Sequence, residues 1–151
     1  MAASTDADQQ SADIEAQQQQ YENERASKER QKREAEAAKA AIERKIERLR
    51  AAYSTINTIK ANAKVLDSGV KNQGKKMDDW IGQKYNAYAG YVNGDFKSYY
   101  STYISDIDDT QDEINREISR LQIQAAEYGT RIDRLWARIC QLGRWIQNLF
   151  N

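Results

Sequence analysis

The chain has no histidine and no proline, a single cysteine, and no apolar run that approaches a membrane span. Each absence removes a class of function. Without histidine, the commonest general base and the commonest metal ligand disappear together. No nucleophile can be matched to a base elsewhere, so an enzyme is the least favoured class and neither a metal nor a cofactor is expected. Without proline, nothing forces a helix to end. The Ala, Gln, Glu, Lys, Arg and Leu that dominate the N-terminal half and the C-terminal end are good helix formers. Cys140 lies among Ile139, Leu142 and Trp145, cannot close an intramolecular disulfide, and is expected to be a buried packing residue. A membrane span needs roughly 18 apolar positions, and the N-terminus lacks the basic-then-apolar order of a signal peptide. The chain is therefore expected to be made in the cytoplasm, and any export to use a route that reads folded or C-terminal signals.

Charge is plentiful but balanced: 23 Lys and Arg against 23 Asp and Glu give a formal net charge of zero over 151 residues. That removes a global electrostatic argument for a nucleic-acid partner or an acidic membrane surface. With 30% charged residues and a mean hydropathy of −0.93, the chain is too polar for one compact core holding every residue. Residues 1–34 are the most polar, interrupted only by Ile14 and Tyr21, and read as a disordered or frayed helical tail. The basic residues Lys28, Arg30, Lys32 and Arg33 are interleaved with Glu29, Glu34 and Glu36, and no aromatic residue stands by to stack on bases.

Residues 35–151 read as an all-α, elongated helical hairpin or coiled coil. A first helix is expected over about 35–67, because Ile42, Ile46, Leu49, Tyr53, Ile56, Ala63 and Leu66 recur at spacings of three and four. Lys60 stands where a strict heptad wants an apolar residue and Ile59 stands one step earlier, so the stripe is expected to drift around the helix. Asp67-Ser68-Gly69 and then Asn72-Gln73-Gly74 suggest a turn over about 68–77. One or more helices should fill about 78–150. Its first face would be Tyr85, Ala89, Val92, Phe96, Tyr99 and Tyr103, with Gly90 and Gly94 permitting close approach or a bend.

The strongest pattern begins at Ile114. From there Ile118, Leu121, Ala125, Tyr128, Ile132, Leu135, Ile139, Leu142, Ile146 and Leu149 alternate steps of four and three without a miss. Ile118, Ala125, Ile132, Ile139 and Ile146 take heptad position a, and Leu121, Tyr128, Leu135, Leu142 and Leu149 take position d. Trp136 at e and Trp145 at g widen the apolar face beyond what one partner helix covers. The longer step from Tyr103 to Ile114 reads either as a stutter in one helix or as a break. Thr110 with Glu113 has the form of a capping box for a new helix. Asp106, Asp108, Asp109 and Asp112 lack the glycine and terminal glutamate of a calcium loop.

Trp80-Ile81-Gly82, after the turn-rich segment and before a tyrosine-rich helix, gives the chain a family likeness. It resembles the Trp-x-Gly (ESX-like) helical-hairpin superfamily of type VII secretion, and most of all the small helical partner proteins of LXG-domain toxins. The resemblance covers roughly residues 40–150. It implies a partner that binds the helical N-terminal domain of an exported toxin, with a second small helical protein and the secretion ATPase as further contacts, and co-export as a possible fate. Trp80 and Gly82 would then fix the turn. Tyr91 and Asp95 carry the letters of the family's Tyr-x-x-x-Asp export motif, but lie nearer the Trp-x-Gly than that motif usually does.

The residues themselves support a helix-binding role, because a wide apolar stripe without a catalytic set is what an adaptor requires. The candidate partner-binding seam is Ile118, Leu121, Tyr128, Ile132, Leu135, Trp136, Ile139, Leu142, Trp145, Ile146 and Leu149. Two alternatives stand beside it: a self-assembling structural coiled coil forming a homo-oligomer, and a membrane-surface helix using Arg131, Arg134, Arg138 and Arg144 with Trp136, Trp145 and Phe150.

Overall fold

A computed structural model describes residues 2–76, 87, 88 and 90–151. Among these the architecture is all-α and of the helical-hairpin class. Helix α1 is Ala2–Lys76, a π-helical turn occupies Val92–Phe96, and helix α2 is Lys97–Asn148. Trp80, Gly82 and the aromatic residue Tyr85 lie outside the described residues.

Helix α1 is longer at both ends than its apolar stripe alone suggests. The turn expected at Asp67-Ser68-Gly69 does not form there, because without proline the backbone passes through Gly69 as an ordinary helical residue, with open space where its side chain would be. The polar segment before Glu34 is helical from Ala2 rather than a loose tail. Its register explains why. Ile14, Tyr21, Lys28, Ala35, Ile42, Leu49, Ile56 and Ala63 fall at seven-residue intervals, and Gln18, Arg25, Lys32, Lys39, Ile46, Tyr53, Lys60 and Asp67 fall between them. Written as heptads, the first series is d and the second a. The inward positions of the first half are largely polar or small, which hides the repeat from a reading that counts apolar residues only.

Contacts divide the molecule into two compact units: the part up to Arg44 with Leu121–Asn151, and Lys45–Arg120. In each, α1 and α2 run antiparallel. In the first unit Tyr21 meets Trp145, Glu24 meets Arg138 and Lys32 meets Trp136. Its buried apolar residues are Ala35, Ile42, Leu121, Ala125, Leu135, Ile139 and Leu142, the last wholly enclosed at 0% exposure.

The second unit buries Ile46, Ala63, Ile107 and Gln111. Here the heptad does not drift. Lys60 stays at its a position, half-buried, and its ammonium donates to Asp108 on α2, while Ile59 is left 43% exposed. A long aliphatic stem covers apolar surface and carries the charge to a partner, so lysine serves where an isoleucine seemed required.

Helix α2 has no break at Asp106–Thr110. The Thr110 hydroxyl donates to the Asp106 carbonyl at 2.9 Å, a bond made inside a helix rather than at its start. Nor is there a stutter. Tyr100, Ile104, Ile107, Gln111 and Ile114 carry the same four-three register back from Ile118, with Gln111 at an a position. The expected face through Tyr99 and Tyr103 is displaced by one residue. Both tyrosines are exposed, at 71% and 47%, while Phe96 and Tyr100 stack with centroids 5.7 Å apart and face inward. The π turn at Val92–Phe96 accounts for this, since it inserts one residue into the helical phase. Gly90 and Gly94 have nothing within 4 Å of an added side chain, so they mark this irregular turn and not a close approach.

Gln111 is 6% exposed and its amide Nε2 has no hydrogen-bond partner. Such a group lowers stability relative to an apolar residue of similar size. Gln111→Leu is therefore expected to raise stability by about 1–2 kcal/mol, read as a higher urea midpoint by circular dichroism. A lower midpoint would show that the amide is satisfied in solution.

Candidate partner-binding faces

The predicted seam residues are brought together, but largely against the chain's own α1. In the first unit Leu121, Leu135, Ile139 and Leu142 are buried, and Tyr128, Ile132, Trp145, Ile146 and Leu149 are half-buried. Ile118, in the second unit, is half-buried as well. The stripe read as a docking face is thus first a folding face. A helix of this amphipathicity must cover its seam, and the nearest cover is the antiparallel helix of the same chain.

Of the two tryptophans flanking the seam, Trp145 at g is drawn in. Its ring lies 5.3 Å from that of Tyr21, and the Arg138 guanidinium lies over it at 4.8 Å while bonding Glu24 at 2.8 Å and the Gln141 side chain at 2.9 Å. One arginine therefore ties ring, carboxylate and amide together across the two helices. Trp136 at e stays outside, 55% exposed, with only the Lys32 ammonium above it at 5.1 Å. Cys140 is exposed rather than buried. It occupies position b, which points away from the seam although its neighbours Ile139 and Leu142 do not.

Sequence reasoning singled out Trp136 beside the seam but not which other large apolar residues stay uncovered. In the first unit Trp136 and Phe150 flank the seam at e, at 55% and 62% exposure, while Ile123, at 63%, lies on the solvent side at f. In the second Ile59, Leu66 and Tyr103 flank the seam, while Val65 and Tyr99 are exposed on the solvent side. Ile59 and Leu66 share position g on α1, Tyr103 takes position g on α2, and Phe96, at the end of the π turn, stands one heptad before it. In an antiparallel pair those positions border one flank. The other end of that flank is charged: Glu117 accepts from Arg120 at 2.8 and 2.5 Å. The Arg120 hydrogen bond, aided by the charges of Arg120 and of Lys45 on α1, holds the Glu117 carboxyl below its usual range against the opposing effect of desolvation. A heptad wheel drawn for both helices together would have found these flanks.

Tyr91 is 53% exposed, Asp95 is exposed, and the Tyr91 ring contacts Phe96 at 6.0 Å. The π turn lies between Tyr91 and the end of that motif, so the pair does not present the plain one-face geometry of an α-helical Tyr-x-x-x-Asp. Among the described residues, no group of three or more Asp, Glu or Cys converges as metal ligands would, and no helix is long and apolar enough to cross a membrane.

Two nearby positions on α2 provide a sharp stability test. Leu142→Ala is expected to cost about 2–5 kcal/mol, whereas Cys140→Ser should change stability by less than about 0.5 kcal/mol. Urea unfolding followed by circular dichroism reads both. Equal losses would mean that Cys140 is packed.

A family model described as YwqH-like matches residues 23–143. No curated protein and no solved structure matches the chain.

Proposed function

This chain belongs to the YwqH-like family, which is associated with small helical proteins related to LXG toxins, and from that membership we propose that it is a non-enzymatic adaptor for the helical N-terminal domain of an LXG-type toxin. It would bind that domain during or after synthesis, cover its apolar face and support its stability and export through type VII secretion. The observation that carries this reading is the apolar surface left after the two helices have paired. A seam already closed within the chain, with Trp136, Phe150 and Leu66 still more than half exposed beside it, is suited to a larger helical assembly. Family membership supports the class of partner, and the exposed flanks support where it would bind.

Two observations weigh against the alternatives. A membrane-surface role would need the Arg- and Trp-bearing face of the last turns of α2, yet Arg138 and Trp145 are engaged by Glu24 and Tyr21. A plain homo-oligomeric coiled coil would use the seam between copies, yet Leu142 and Ile139 are buried within one chain. A second small helical protein and the secretion ATPase remain as further partners of the complex. Tyr91 and Asp95 would be read at the export step.

Co-expression of the full chain with the helical domain of an LXG-type toxin from the same genome tests the proposal. The expected result is co-purification at a fixed ratio and loss of soluble toxin domain when the chain is omitted. Failure to retain the domain, with the pure chain sedimenting as one stable homo-oligomer, would replace the adaptor by a structural coiled coil. In the secreting cell, Tyr91→Ala with Asp95→Ala is expected to block export of the pair without reducing co-purification. Unchanged export would remove these two residues from the signal.

A further inference from the structure

The first half of α1 carries a repeat of its own. Each polar residue at heptad position a pairs with the glutamate four residues later at e: Gln18 with Glu22 at 3.0 Å, Arg25 with Glu29 at 3.3 Å, Lys32 with Glu36 at 2.8 Å and Lys39 with Glu43 at 3.8 Å. On α2 the e positions along this span are Gly129, Trp136, Gly143 and, just past the helix, Phe150. Two contacts set these columns side by side. The Lys32 ammonium that holds Glu36 also lies over Trp136 at 5.1 Å, and the Lys39 ammonium that holds Glu43 lies 3.8 Å from where a side chain on Gly129 would begin. The flank is thus a notched strip, with an exposed aromatic ring between two glycines and a row of glutamates along its α1 edge. Gly143 has nothing within 4 Å of an added side chain.

We propose that this flank of the first unit docks a third amphipathic helix, contributed by another protein, whose large apolar side chains enter beside Gly129 and Gly143 and whose adjoining edge carries lysine or arginine at seven-residue spacing. The inference rests on the adaptor reading and adds to it where the partner's helix lies and what charge it bears. The apolar requirement comes from Trp136 and Phe150, at 55% and 62% exposure. Glutamates at Glu22, Glu29, Glu36 and Glu43 set the charge requirement. Their present partners are surface groups on the same helix, and such exposed pairs are weak and exchange readily. A cation brought in by a docked helix, with water excluded by the apolar strip, would interact more strongly. A second copy of the chain fits poorly. The column bordering this strip on α2, Ser119, Ala126, Asp133, Cys140 and Gln147, offers no base to meet the glutamates.

The test uses the full chain and two fluorescein-labelled synthetic amphipathic peptides, each four heptads long with the same leucine strip, one with lysine and the other with glutamate at every seventh position. Fluorescence anisotropy should show the lysine peptide binding at least about tenfold more tightly than the glutamate peptide. Gly143→Leu should weaken the lysine peptide by at least about tenfold without lowering the melting temperature, because leucine is the better helix former and the site is open. Glu29→Lys with Glu36→Lys should reverse the preference between the peptides. No binding of the lysine peptide, equal binding of both, or undiminished binding to Gly143→Leu would each overturn the proposal. Co-purification separates it from its premise. If these variants retain the toxin domain as the wild-type chain does, the adaptor stands and the groove falls. If the peptides behave as expected but no toxin domain is retained, the groove stands and its partner is another helix.

Discussion

The constraint on which the structure depends is the seven-residue register shared by two antiparallel helices. Leu121, Leu135, Ile139 and Leu142 can be buried only if α2 keeps one stripe turned toward α1, and Ile42, Ile46 and Ala63 impose the same on α1. Burial of a leucine or isoleucine contributes about 1.5–3 kcal/mol, so this small set of side chains outweighs the helix propensities and surface pairs around it. Once the stripe is set, the rest follows by angle. Positions b, c and f face solvent, and e and g border the partner. The exposure of Cys140 next to buried Ile139 is a direct consequence of that geometry.

The seam is not uniformly apolar, and its exceptions show how register is chosen among slipped alternatives. A strip of isoleucines and leucines tolerates displacement by whole heptads, because every shifted pairing still buries apolar surface. Lys60 paired with Asp108 and Arg138 with Glu24 do not. Each pair is satisfied in one alignment. A buried polar group at an a position is a known device for fixing alignment at the expense of stability. Here the ionic pairs lie one in each unit, Arg138 with Glu24 in the first and Lys60 with Asp108 in the second, so each unit carries its own alignment mark.

The all-α class and the seam from Ile118 to Leu149 were legible in the sequence, because there an apolar residue stands at nearly every inward position and an apolar count equals a register count. The two diverge elsewhere. In the first half of α1 the inward positions are filled by Gln18, Lys28, Lys32 and Lys39, whose stems pack and whose head groups turn outward, so a segment with helical register reads as a polar tail. At Gln111 one amide interrupts the apolar series and makes a continuous helix look broken. At Tyr99 and Tyr103 the fault lies in phase, since a π turn upstream shifts the inward face by one residue and no composition signal announces such a turn. The turn after Asp67 fails for a different reason: Gly69 permits a stop but does not compel one.

The same reasoning separates what holds the chain together from what it can offer a partner. A residue buried in the seam can bind another protein only by giving up its present contact, which sets the affinity of the newcomer against the stability of the hairpin. A residue left exposed at e or g faces no such competition. Trp136 and Trp145 illustrate the difference: both flank the seam, but Trp145 is held by Tyr21 and Arg138, while Trp136 stays 55% exposed with the Lys32 ammonium over its ring. Gly143, at a neighbouring e position of α2, leaves open space there, and Gly129 has only the Lys39 ammonium near it, although glycine within a helix costs about 1 kcal/mol relative to alanine. Among the flank's positions, those glycines are the ones that the hairpin itself gives no reason to keep, and a partner's side chains entering beside them would.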